Sequence, residues 1–388
     1  MRVMVVNAGS SSLKLSVLEK DNELAGSEQV DAPRGRVDEQ AVKEFVAGYG
    51  PVDAVGHRVV HGGTEFTVPV RVDPGVRHRL ELLSDLAPLH QPKSLEALDV
   101  VSRVLPNVPA VACFDTAFHA TIPAAAATYA LPPQWRRRWD LRRFGFHGLS
   151  HSYASRRATD LMGEDGGAVI TRPVTTGAAT TGAAKTGDSI RLVTCHLGAG
   201  ASLAAVRGGV SVDTTMGFTP LEGLVMATRS GSVDPGLLLW LEEHAGTPSS
   251  ELASTLEHRS GLLGLAGTAD MRAVLAAERS GDQDAALAMG VYLHRLRAAI
   301  ASMVAAMDGV DAVVFTGGVG ERSAEVRQRT ADGLTFLGLE MDAARNESAR
   351  PDQEIGTAGA RVRLFVIAAR EDLEIARGVR EVLGGRPC

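Results

Sequence analysis

Apolar and β-branched residues fall in short runs, each closed by a turn of small or polar residues. Residues 3–6 and 13–18 flank Asn7-Ala-Gly-Ser-Ser-Ser, a pattern that predicts a hairpin opening a sheet. The pattern returns at mid-chain in Val193-Thr-Cys-His-Leu-Gly-Ala-Gly-Ala-Ser-Leu203, with Ser202-Leu203 placed like Ser12-Leu13. This self-similarity at half-chain distance predicts a duplicated domain. A third apolar run, 312–315, enters Thr316-Gly-Gly-Val-Gly-Glu321, behind which Ser323 is placed to cap a helix. Further strands are expected at 52–60, 108–114 and 362–368, and helices at 80–86, 95–104, 291–307 and 373–383. Residues 19–50 carry no readable period. Strands alternating with helices predict an α/β fold.

Residues 171–188 are of low complexity and read as a surface loop. Gly177 and Gly182 have the spacing of a phosphate-binding loop. Alanines follow, Ala183 and Ala184, where that motif needs its lysine, and no strand leads in.

The chain has 388 residues, which calls for two or three domains. Its 45% apolar and 22% charged composition is that of a soluble globular protein. A net charge of −6 argues against a general nucleic-acid binder. Three cysteines without metal-ligand spacing suit a reducing cytoplasm. The apolar residues 3–6 run straight into polar turn residues, so no signal peptide is expected. No apolar stretch approaches the ~20 residues that span a bilayer, so no membrane is expected as a partner. The longest, 298–307, reads as a buried helix.

Three glycine turns behind apolar strands point to phosphate binding, because backbone N–H groups in tight turns make anion nests. Asp115 directly follows the strand at 108–114, where α/β folds place functional groups. Glu371 follows the strand at 362–368. It is either a carboxylate for Mg²⁺ or an acid favoured by a helix dipole. Asp270 is either a ligand or a helix cap. Arg58 and Arg229 lie in apolar company and require partners, either a structural carboxylate or an anionic substrate. His147 has glycine on both sides, which suits a placed side chain. The arginines 136–138, 142 and 143 read as a solvated helix face, with a polyanion contact the alternative.

Taken together these residues resemble the acetokinase family, within the actin, sugar kinase and heat-shock chaperone ATPase superfamily. The match runs over nearly the whole chain outside 171–188. It rests on Asn7-Ala-Gly-Ser-Ser-Ser-Leu-Lys14, His57-Arg-Val-Val-His-Gly-Gly63, Ala87-Pro-Leu-His90, Phe114-Asp-Thr-Ala-Phe-His119 and Gly145-Phe-His-Gly148. It also rests on Ser211-Val-Asp-Thr-Thr-Met-Gly-Phe-Thr-Pro-Leu-Glu-Gly223, Thr228-Arg-Ser-Gly231 and Phe315-Thr-Gly-Gly-Val-Gly-Glu321.

The resemblance implies two duplicated actin-like (ribonuclease H-like) α/β domains with the active site in a cleft between them. One domain comprises 1–119 plus 373–388, and the other 120–372. It implies interconversion of ATP and acetate with ADP and acetyl phosphate. Asn7, Arg58, Asp115, His147 and Arg229 are its catalytic residues. Arg58, Val60, Leu89, Phe146 and Pro220 hold the carboxylic acid. Lys14, His196, Gly198, Gly200, Asp270, Arg272, Gly318 and Gly320 bind ATP, and Asn7 and Glu371 serve the metal. The implied cofactor is Mg²⁺, with Mn²⁺ the alternative. The implied assembly is a homodimer. Propionate or butyrate is the alternative acid, and a nucleotide-binding regulatory protein is the alternative role. There are three departures from the family pattern: Ala199 and Arg322 each replace an Asn, and Ala369-Arg-Glu-Asp372 replaces Thr-Asn-Glu-Glu.

Overall fold

The computed structural model describes residues 1–9, 12–31, 37–87, 91–164 and 190–384. Leu89 and the low-complexity stretch 171–188 lie outside them. The chain divides into two compact units. The first is Met1–Ala120 with Phe144–Tyr153 and Arg370–Cys388; the second is Thr121–Arg143 with Ala154–Ala369.

The first unit holds strands β1 (Val3–Ala8), β2 (Ser12–Leu18), β3 (Leu24–Asp31), β4 (Ala54–Val59), β5 (Val70–Arg71) and β6 (Ala110–Phe114). They form one sheet in the order β3-β2-β1-β4-β6-β5. Strands β1, β4 and β6 run parallel at its centre. The second unit holds β7 (Arg191–Leu197), β8 (Ala201–Arg207), β9 (Val210–Thr214), β10 (Ala312–Thr316), β11 (Gln353–Glu354) and β12 (Arg363–Val366). Their order, β11-β12-β10-β7-β8-β9, repeats the first topology strand for strand, including the antiparallel edge strand. The duplication suggested by the glycine turns is thus present in both sheets.

The central strands read as unbroken apolar runs because both faces of the sheet are covered. Side chains alternate between faces with period two. On β1, Met4, Val6 and Ala8 face Val42, Phe45 and Val101 of the helices Glu39–Tyr49 and Gln91–Val104. Val3 and Val5 face Ile375, Ala376 and Val379 of the last helix, Glu371–Leu383. That helix lies close to the sheet at Gly56, where a Cβ would come 2.5 Å from Ile375 Cγ2 and 2.7 Å from Val379 Cγ2.

The second sheet's centre is equally buried, and the long helix Gln283–Ala306 turns Leu293, Leu296, Ile300 and Met303 inward. This helix contains the expected one but begins earlier, at the cap Asp282. Ser323 caps the helix Ala324–Asp332 by accepting from Val326 N.

Local structure departs from expectation in three places. Residues 19–50 contain both β3 and the helix Glu39–Tyr49, capped by Asp38. Only Val42 and Phe45 of that helix are buried, too narrow an apolar stripe to stand out in a polar stretch. The helix expected at 80–86 is Pro74–Leu82, started by the Asp73 cap and a proline in the first turn, with a 3-10 turn behind it. The third glycine turn is itself a short helix, Gly317–Arg322. Among the described residues, no helix is long and apolar enough to cross a membrane.

Candidate functional site

In the first unit, alternation explains which side chains meet. Val3 and Val5 on β1, Ala54 on β4, and Val111 and Cys113 on β6 face the last helix. Continuing each strand at period two places Asn7, Arg58 and Asp115 on that same face, at the carboxyl ends of three parallel neighbours. Glu371 begins the helix that covers this face. The four groups therefore converge.

Arg58 binds Asp115 through Nε at 3.0 and 3.2 Å and through Nη2 at 2.5 Å. Its Nη1 reaches Asn7 Oδ1 at 3.2 Å and the Ala8 carbonyl at 3.3 Å. Asn7 Nδ2 donates to Glu371 Oε2 at 2.6 Å, which lies 3.9 Å from Arg58 Nε. Asp115 is fully buried, while Arg58 and Glu371 keep about a seventh of their side chains exposed. Burial pushes the Asp115 carboxyl above its ordinary value, against the pull of Arg58. For Arg58 burial works against the charge, but Asp115 and then Glu371 outweigh it, and the guanidinium is held more firmly protonated than usual.

His147 approaches from elsewhere in the chain. Its φ is +56°, a left-handed conformation that costs a β-carbon-bearing residue energy, and Gly145 before it has φ +74°. The helix Gly148–Glu164 starts directly behind it. Gly148 N donates to the Asp115 carbonyl at 2.9 Å, and the His147 backbone N–H serves the Asp115 carboxylate. A Cβ on Gly148 would stand 2.1 Å from that carbonyl oxygen, so only glycine admits this approach. Phe146 and Val60 are buried beside it. The ring of His61, next to Val60, meets Phe144 and Phe146 edge-on at 4.5 and 5.5 Å. His119 Nε2 contacts the Phe146 carbonyl at 3.1 Å. Burial lowers both histidines to about 4, so they are neutral at pH 7.

The donor set suits a hard cation. Mg²⁺ typically takes one or two carboxylates and fills its shell with water and substrate phosphates. Asp115 and Glu371 are the acids here, and Glu371 Oε1 receives no hydrogen bond among the described residues. No group of three or more His, Cys, Asp or Glu side chains placed to hold a metal occurs among those residues.

In the second unit a cavity of about 940 Å³ brings together Gly198, Ala199, Asp270, Arg272 and Gly318. Gly198 N closes a tight turn on Gly200 O at 3.0 Å. A Cβ on Gly198 would point within 3.9 Å of Gly318 N, so the second and third glycine segments face one another. Asp270 caps the helix Met271–Arg279 by accepting from Arg272 N, and the Arg272 side chain folds back on it at 2.8 Å. Gly320 is buried in the Gly317–Arg322 helix, where an added Cβ would stand at ordinary contact distance, 3.7 Å, from Cys195 O and Leu197 Cβ of β7. His196, next to last in that strand, is half-buried. Lys14 falls in the first unit, exposed and directly opposite Asn7 in the hairpin.

Arg229 pairs with Glu257 at 3.1 Å, the structural-carboxylate alternative, and its Nη1 also donates to the Pro220 carbonyl at 3.1 Å. Pro220 sits in a loop that Glu222 ties down. Glu222 accepts from Tyr129 OH at 2.6 Å and from Arg143 Nη2 at 2.7 Å. Arg143 Nη1 holds the carbonyls of Thr215 and Met216, and Phe218 N donates to Tyr129 OH. Arg143 is therefore no solvated face residue. Glu257 and Tyr129 carry no local sequence signal; Glu222 lay within a recognised motif, but its partner 93 residues away did not.

The acetokinase family profile matches residues 36–377. The chain is 46% identical over 335 residues to the acetate kinase of Microcystis aeruginosa, covering 86% of this chain and 78% of that protein. The crystal structure of Porphyromonas gingivalis acetate kinase superimposes with a TM-score of 0.85 at 33% identity, over 98% of this chain and 99% of that one. A propionate kinase from Francisella tularensis superimposes with the same TM-score at 30% identity, over 98% and 100%. With these matches across both duplicated actin-like units, the chain belongs to the acetokinase family.

Proposed function

We propose that this protein is an acetate kinase, transferring the γ-phosphoryl group of ATP reversibly to acetate. The reading is carried by the convergence of Asn7, Arg58, Asp115 and Glu371 on one sheet face, in a chain this similar to acetate kinases. A carboxylate oxygen of acetate forms the new P–O bond. The bond from phosphorus to the β,γ-bridging oxygen breaks, and ADP leaves with that electron pair. Acetate is already ionised at neutral pH, so no strong general base is needed. The difficulty is bringing two anions in line.

In this reading Arg58, held by Asp115 and Asn7, and Arg229, held by Glu257, neutralise the approaching oxygens, with His147 as a further donor. Val60, Phe146 and Pro220 are the residues this reading assigns to the methyl group. The second unit's glycine segments with Asp270 and Arg272 receive the nucleotide. Asn7 and Glu371 would hold Mg²⁺, with Asp115 as a neighbouring acid, and the ion would supply charge neutralisation for the phosphates. The same proposal takes the protein as a cytoplasmic homodimer. Its support is the helix Pro235–Ala245, which buries none of its residues and exposes Leu237, Leu239 and Trp240.

Purified protein with ATP, Mg²⁺ and acetate is expected to yield an acyl phosphate that hydroxylamine traps as a hydroxamate, and sedimentation of the same sample checks the dimer. No product with acetate, propionate or butyrate defeats the proposal. Acetate emerging as the slowest of the three moves it to a longer acid, a shift of one methylene being worth about 1–3 kcal/mol. Tight nucleotide binding without turnover favours the regulatory role.

A further inference from the structure

Behind β9 the segment Thr215–Gly223 forms neither helix nor strand, yet side chains from a distant stretch fasten it along its length. That stretch is itself paired through its backbone: Thr128 bridges Arg142, and Arg143 N donates to the Ala127 carbonyl at 2.8 Å. The pairing brings Tyr129 and Arg143 together, with the guanidinium carbon 5.7 Å from the centre of the phenol ring. Arg143 Nη1 holds the first two carbonyls of the loop, those of Thr215 and Met216, at 3.1 and 3.0 Å. The Tyr129 hydroxyl accepts from Phe218 N at 2.8 Å and donates to Glu222 Oε2 at 2.6 Å, which uses it both as acceptor and as donor. Glu222 Oε1 returns to Arg143 Nη2 at 2.7 Å. These contacts close over Gly217, where a Cβ would collide with Glu222 Oε2 and the Tyr129 hydroxyl.

Burial, and then Glu222, hold the phenol above its ordinary value, so it keeps the proton it donates. Between the fastened points Phe218 and Glu222 stands Pro220, whose carbonyl accepts from Arg229 Nη1 at 3.1 Å. The kinase reading gives Pro220 to the methyl group of the acid and Arg229 to the approaching oxygens. It gives no part to the three side chains that hold the loop.

We propose that Tyr129, Arg143 and Glu222 are positioning residues for the carboxylic acid. They fix the loop that carries Pro220 and, through the Pro220 carbonyl, the Arg229 guanidinium, and so set how large an acid the site accepts. The inference rests on the kinase reading and deepens it at the acid. Proline has a fixed φ, so the place of its ring follows from where the loop on either side is pinned. Freeing one pin lets the tip retreat, which loosens the short acid and admits a longer one.

The test compares kinetics with acetate and propionate, and the KM for ATP, in the full chain and its Y129F, E222A and E222Q variants, with melting temperatures alongside. Y129F removes both hydrogen bonds of the hydroxyl and keeps the ring. It is expected to raise the KM for acetate about tenfold, the scale of a hydrogen bond to a charged group, and to leave the KM for ATP within twofold. The ratio of kcat/KM for propionate to that for acetate should rise about fivefold in Y129F and E222A. E222Q, whose amide oxygen still accepts, should shift it less. A lower melting temperature with the acetate KM and the acid ratio both within twofold of the parent's makes the ties purely structural and overturns the proposal. An equal fall in kcat for both acids, with the acetate KM unmoved, overturns it too. If E222A does not fold, Y129F and E222Q decide by the same criteria. A parent chain that makes no acyl phosphate from either acid overturns the kinase reading instead.

Discussion

Gly148→Ala tests how closely the first unit's site depends on one backbone approach. The added Cβ would stand 2.1 Å from the Asp115 carbonyl oxygen and 2.8 Å from Phe118 Cβ. Ordinary contact begins near 3.4 Å, so the strand end and the helix start must part by about 1.3 Å. Both partners are stiff: one is backbone, and the other is the first atom of the half-buried Phe118 side chain. The Gly148 N to Asp115 O bond at 2.9 Å lengthens with that movement. Overpacking of this kind costs about 1–3 kcal/mol, and the lost hydrogen bond about 1 kcal/mol more. Activity should suffer further, because the movement separates the His147 backbone N–H from Asp115, and about 1 Å of misplacement costs roughly 10²-fold. The hydroxamate rate and the thermal midpoint are measured together. Gly48→Ala is the control, since nothing lies within 4 Å of its Cβ and it sits inside a helix. That change should stabilise by about 0.5–1 kcal/mol and leave the rate alone. A Gly148→Ala variant with the parent's midpoint and a rate within threefold of the parent's refutes the argument.

Arg58→Ala leaves Asp115 buried and unpaired, so denaturant unfolding should show a loss of about 3–5 kcal/mol, and turnover should fall roughly 10²–10³-fold; an unchanged unfolding midpoint contradicts this. His57, His61 and His119 are each lowered by burial to about 4, against about 6.5 in an unfolded chain. The unfolded state binds more protons between these values, so the stability they confer is complete above pH 6.5 and drains away as pH falls towards 4. Melting temperatures that stay level from pH 7 to pH 4.5 would count against buried neutral imidazoles.

Much of the site was legible locally. Asp115 and Glu371 stand where a strand ends and a helix begins, and apolar runs mark such places plainly. His147 stood out by the glycines on both sides, which read as a placed side chain; the structure gives it a left-handed φ of +56°. Asp270 offered two readings, and the cap is present while the residue also lines the cavity. What was illegible depends on partners far away in sequence. Arg143 reads as one more cation of a basic helix until Glu222 and the 215–216 carbonyls gather around it. Arg327 gives no sign in sequence that its charge is buried against carbonyls and Asn346.

By itself the sequence determined the α/β alternation, the duplicated strand–turn–strand openings and the family. Each of these rests on residue identity or short-range period, which hydrophobic burial and backbone sterics enforce locally. Tertiary structure decided which of the two sheet faces each polar residue serves and which distant segments supply its partners. Asn7 and Glu371 are 364 residues apart, yet one hydrogen bond joins them. They meet because the last helix packs closely on the sheet over Gly56. Phe144–Tyr153 joins the first unit through the contact of Gly148 with Asp115. Such pairings follow from how whole faces are buried together, and no window of sequence contains both sides of that interaction.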